Sequence, residues 1–134
     1  MDFLDWQPEY ETKIRQMDEQ HKNLVNKINE VYEKIDKLSY EQSKEVFVWL
    51  KAHLEEHFAT EEGLMKEYND PGYISHKLEH ERFYNSILDA LNYLEEDKGK
   101  LSKEFLGRIK IWFINHFDFK DKKLGEHLHK LGVE

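Results

Sequence analysis

Five of the eight histidines in this 134-residue chain combine with two carboxylates in a pattern able to hold metal: His21, His57 with Glu61, His76 with His80, and His116 with Asp121. Residues four apart on an α-helix are ~400° around its axis, so His57/Glu61 and His76/His80 each project from one face as a bidentate pair. Every one of these groups falls in an apolar stripe, where an uncoordinated imidazole or carboxylate is costly to bury. A cation removes that cost. The chain contains no cysteine, which excludes disulfides, thiolate zinc sites and cysteine-ligated iron–sulfur clusters and leaves nitrogen and oxygen as the only ligands. Five imidazoles and two carboxylates suit two iron ions.

Helices must position these residues. The first is expected to begin at an Asp18 cap and to carry His21, Leu24, Val25, Ile28, Val31, Tyr32, Ile35 and Leu38 at three- and four-residue steps. Ser39 with Gln42 reads as a capping box for the second, whose stripe runs Val46, Leu50, Leu54, His57, Glu61, Leu64 and Tyr68. An Asn69-Asp70-Pro71-Gly72 turn separates it from the third helix, which continues through His76, His80, Phe83, Ile87, Leu91 and Leu94 into the charged run Glu95 to Lys100. After Ser102 the fourth aligns Phe105, Ile109, Trp112, Phe113 and His116. Long helices joined by short loops pack antiparallel, so the expected fold is all-α, an up-down-up-down four-helix bundle with its ligands pointing inward. His116 and Asp121 break the helical rule, because five residues turn ~140° on a regular α-helix. A π-type irregularity within Phe117 to Lys120 is therefore predicted, since five residues is the π-helical step.

Composition narrows the function. Twenty bases against 28 acids give a net charge of −8, which argues against nucleic acid and anionic membranes as partners. No stretch approaches the ~20 apolar residues of a membrane span, and the acidic N-terminus MDFLDWQPEYE lacks the features of a signal peptide. A soluble protein of the cytoplasm, with residues 1–134 forming one domain, is the expectation.

The segments Asp18-Glu19-Gln20-His21, His57-Phe58-Ala59-Thr60-Glu61-Glu62-Gly63-Leu64-Met65, His76-Lys77-Leu78-Glu79-His80 and Trp112-Phe113-Ile114-Asn115-His116, followed by Asp121, resemble the hemerythrin family in its bacterial form. The resemblance spans almost the whole chain. It implies a non-haem di-iron centre with an oxo or hydroxo bridge that binds dioxygen reversibly, serving an oxygen carrier or store rather than an enzyme. His76, His80 and His116 would hold one iron and His21 and His57 the other, with Glu61 and Asp121 bridging. Trp112, Phe113 and Phe117 would wall the oxygen pocket. The family tends to carry aliphatic residues where this chain has Phe113 and Phe117, which implies a narrower or differently gated pocket. Trp6 and Tyr10 resemble the family's N-terminal arm and should pack across the bundle, with a short C-terminal segment after the fourth helix. A redox partner protein is also expected. The same centre would serve a sensor of oxygen, nitric oxide or redox state, or a di-iron peroxidase or oxidase, and the sequence leaves these uses open; the lack of an attached signalling domain favours the carrier.

Other readings fit less well. A ferritin-like site needs Glu-x-x-His on two helices, whereas the one instance here, Glu126 to His129, lies in the tail. A zinc hydrolase needs glutamate directly after its first histidine, and neither His57 nor His76 has one. His53 reads as structural or as a support to the ligands, and Glu62, His127 and His129 as solvent-facing.

Overall fold

Two of the long helices start at serine caps, and two stop at residues that leave the α region. The computed structural model describes residues 2–134. Ser39 accepts a hydrogen bond from the Gln42 amide at 3.1 Å while Gln42 returns one from the Ser39 amide at 2.9 Å, so the expected capping box opens α2 (Tyr40–Glu67). Ser102 caps α4 (Lys103–His116) by accepting from the Phe105 amide. Asn69 and Lys98 adopt left-handed backbone, with φ of 52° and 53°, and so end α2 and α3 (Tyr73–Asp97). These helices and α1 (Arg15–Lys34) form the up-down-up-down bundle. A π-helical turn at Phe117–Asp121 joins α4 to a last short helix, α5 (Lys122–Lys130).

The start of α1 corrects the expected Asp18 cap. Arg15 already opens the helix, and the Asp18 carboxylate instead reaches back to accept from the Thr12 amide at 2.9 Å, the Thr12 hydroxyl at 2.8 Å and the Lys13 amide at 3.1 Å. Lys13, at φ 67°, turns the chain into the first helical turn, and Asp18 holds that turn closed. At its other end α1 tightens into a 3₁₀ turn over Ile35–Lys37.

The N-terminal arm packs across the bundle as expected. Asn29 clamps Leu4 by donating to its carbonyl and accepting from its amide, Phe3 stacks on Tyr32, and Trp6 and Tyr10 both meet Phe117, with centroids 6.1 and 6.0 Å away. Two apolar clusters fill the interior. The larger includes Leu24, Ile28, Leu50, Leu54, Ile87 and Ile109, and the smaller gathers Ile14, Met17, Met65, Leu124 and Leu128. Met65, four residues after Glu61, is buried where Leu64 was expected. No described helix is long and apolar enough to cross a membrane.

Candidate metal centre

Between the two apolar clusters lies a layer of buried polar groups. Antiparallel packing brings the start of α1, the end of α2, the start of α3 and the end of α4 to one level, which carries His21, His57 with Glu61, His76 with His80, and His116. The π turn adds Asp121. An extra residue in the turn offsets the five-residue step, so His116 and Asp121 both point inward, with Nε2 3.0 Å from Oδ1. All seven side chains are at most 2% exposed.

The donor atoms converge on two positions. Glu61, His76, His80, His116 and Asp121 form one group and His21, His57, Glu61 and Asp121 a second; within each, one ligand atom per residue lies within 4.8 Å of all the others. His116 Nε2 is 3.2 Å from His76 Nε2 and 3.1 Å from His80 Nε2. Three imidazole nitrogens facing one another cannot all be satisfied by protons they share, yet ~3 Å is the separation of ligands at right angles ~2.1 Å from one cation. Among the described residues Glu61 Oε1 and Asp121 Oδ2 find no hydrogen-bond donor, although His80 Nε2 approaches the former at 3.0 Å and His21 Nε2 the latter at 2.9 Å. Atoms this close that do not bond to each other are aimed at a common centre. An all-nitrogen-and-oxygen donor set with two shared carboxylates fits a pair of iron ions.

Without metal, protons must balance this layer. Burial, the largest influence on His21, opposes its protonation, but Asp121 and Glu61 outweigh it and raise the pKa to about 9. His76 behaves alike and also rises to about 9, and His116 rises well above its usual value for the same reasons, with Glu79 adding to the effect. His57 is lowered by burial, reinforced by the charge on His21. Glu61 and Asp121 are depressed despite burial, because the imidazoles around them favour the carboxylate.

Three partners escaped sequence reasoning. Gln20 Oε1 accepts from His57 Nδ1 at 2.7 Å, Glu62 from His80 Nδ1 at 2.9 Å and Glu79 from His116 Nδ1 at 2.6 Å. The expectation that Glu62 faces solvent is thus corrected: it bounds a cleft of about 450 Å³ between α2 and α3 that opens beside His80. Each partner sits next to a ligand-type residue in the sequence, but the spacing points it off the apolar stripe. Only packing reveals the reach to the next helix.

The three aromatic residues expected to wall a pocket divide between the two positions. Phe117 covers His21 with ring centroids 4.2 Å apart, and Phe113 stacks behind Phe117 at 5.3 Å. Trp112 instead lies on His116 at 4.3 Å, sandwiched by Phe83 at 3.8 Å. His53 stacks on Trp49 and bonds to its carbonyl, a structural role. His129 is exposed as expected, whereas His127 is half-buried and donates to the Tyr68 carbonyl at 2.8 Å. It ties α5 to the end of α2.

A family model described as the hemerythrin HHE cation binding domain matches residues 12–128. A bacteriohemerythrin of Clostridium acetobutylicum is 29% identical over 126 residues, covering 88% of this chain and 95% of that protein. One of Pseudomonas aeruginosa is 33% identical over 121 residues, covering 87% and 75% respectively. The fold superposes on a crystal structure of wild-type hemerythrin with a TM-score of 0.88 at 20% identity, covering 94% of this chain and 98% of the other.

Proposed function

The chain belongs to the hemerythrin family, and from that premise we propose that it binds dioxygen reversibly at a non-haem di-iron centre, as an oxygen carrier or store acting as one domain over residues 1–134. One observation carries the reading: the two converging donor groups share both carboxylates but divide the histidines unequally, three against two. His76, His80 and His116 would hold one iron, His21 and His57 the other, and Glu61 and Asp121 both. Iron held by these residues would supply the dioxygen affinity, and the two-histidine group leaves it fewer protein ligands.

The surrounding residues support binding without turnover. The two carboxylates offset the repulsion between cations held close together in a low-dielectric interior. Phe117, 1% exposed and lying on His21, keeps water and protons from the two-histidine side, and Phe113, Trp6 and Tyr10 hold it in place. Trp112 would orient the His116 ring rather than line the oxygen side.

Replacing single ligands tests the assignment. Wild-type protein purified from iron-supplied cells should carry about two irons per chain, while His80→Ala and Glu61→Ala should lose most of that iron. His129→Ala should retain it. Equal iron in all of them would refute the proposed ligand set.

A further inference from the structure

Gln20, Glu62 and Glu79 form a directional set of braces. Gln20 on α1 holds His57 on α2, Glu62 on α2 holds His80 on α3, and Glu79 on α3 holds His116 on α4. Each brace neighbours a ligand-type residue on its own helix, so each helix presents one group to the metal layer and another to the ligand of the next helix. The series stops at the seam between α4 and α1. There His21 Nδ1 is buried with no hydrogen-bond partner among the described residues, and Phe117 lies against the ring.

The braces differ in charge. Both carboxylates act on histidines of the three-histidine group, and the neutral amide acts on the two-histidine group. In all three contacts the Nδ1–H donates, which fixes the tautomer and leaves Nε2 free for a cation. A carboxylate acceptor also polarises the imidazole and makes its Nε2 a stronger donor than an amide acceptor does.

We infer that Glu62 and Glu79 are positioning residues that make the two metal positions electronically unequal. They enrich the three-histidine position in electron density and favour the ferric state there, while Gln20 orients His57 and leaves the two-histidine position electron-poor. This inference rests on the di-iron reading above. It assigns the carboxylates a role in setting potential, beyond holding the bundle together.

The test is a spectroelectrochemical titration of iron-loaded wild type, Glu62→Gln, Glu79→Gln and Gln20→Glu, with a thermal melt of each. Losing one carboxylate should weaken ferric over ferrous binding by about tenfold and raise the midpoint potential by about 59 mV in a one-electron couple. Gln20→Glu should shift it the opposite way. Unchanged potentials in iron-loaded glutamine variants, whatever their melting temperatures, would overturn the inference and leave the carboxylates purely structural. A wild type without iron would instead refute the di-iron reading itself, before any variant is compared. Should a variant lose its iron, zinc-loaded wild type decides by long-range ¹H–¹⁵N NMR. Protons on Nδ1 of His80 and His116 that resonate well downfield of the one on His57 support the inference, and indistinguishable resonances overturn it.

Discussion

His21 and His57 lie with ring centroids 4.4 Å apart and share the same two carboxylates, yet without metal their proton affinities move in opposite directions. That opposition predicts a pH dependence for the metal-free protein. His21 and His76 rise from 6.5 to about 9 on folding, so their stabilisation is fully present below pH 6.5 and disappears as pH rises through 9. His57, lowered on folding, offsets part of this gain in acid. Thermal melts of metal-free protein should therefore show Tm falling by at least about 4 °C between neutral and strongly alkaline pH, the effect of ~1 kcal/mol in a domain of this size. A Tm that rises over that range would contradict the proposed charge pattern. The metal-loaded form should fail at the other end, because ligating imidazoles must be unprotonated and acid displaces the metal. Phe117→Leu should keep its iron but convert faster to the ferric form in air, as measured by optical spectroscopy, since a smaller side chain shields His21 less well. At this scale the seven donor-type residues were legible from spacing and apolar context. Gln20, Glu62 and Glu79 were not, because side chains beside a stripe show their partners only after neighbouring helices have packed. Trp112 packs on His116, a pairing that helical phase alone does not show, because it does not say which imidazole a ring will cover.

Element boundaries were legible wherever the cap was local. Ser39 with Gln42 and Ser102 with the Phe105 amide satisfy helix ends within four residues of sequence. Asp18 misled because it uses its carboxylate on the arm preceding the helix rather than on the helix's own first turn. The π turn was legible because His116 and Asp121 could share a layer only if the helix were irregular between them. Metal coordination would hold that turn, so its removal should speed amide exchange at Phe117–Asp121 far more than in the middle of α2, as hydrogen–deuterium exchange can measure. Uniform acceleration would mean that the π turn is stable by itself. The arm has its own contact point, where a Cβ on Gly125 would come within 2.7 Å of the Thr12 carbonyl oxygen. Gly125→Ala should consequently cost about 1–3 kcal/mol in denaturant unfolding. Gly107→Ala, where an added Cβ meets nothing within 4 Å, should gain up to about 1 kcal/mol from helix propensity.

Across the whole molecule, one polar layer separates a large apolar cluster from a small one, and every long helix contributes to it. Folding brings buried imidazoles and carboxylates into mutual contact there, and a bound cation would satisfy groups that protons balance only in part. Chelation should accordingly lower the melting temperature of the entire bundle as well as loosen the π turn. Topology was accessible from the sequence because short connections between long amphipathic helices leave few arrangements besides antiparallel neighbours. The oxygen-binding role is a property of the loaded layer, and its direct test is iron content together with the visible spectrum of reduced protein, recorded without oxygen, then in air, then after oxygen is removed again. About two irons per chain, with a charge-transfer band that appears in air and vanishes on deoxygenation, is the predicted result. Prompt oxidation that persists when oxygen is withdrawn would contradict reversible binding, and protein that takes up no iron would contradict the di-iron centre.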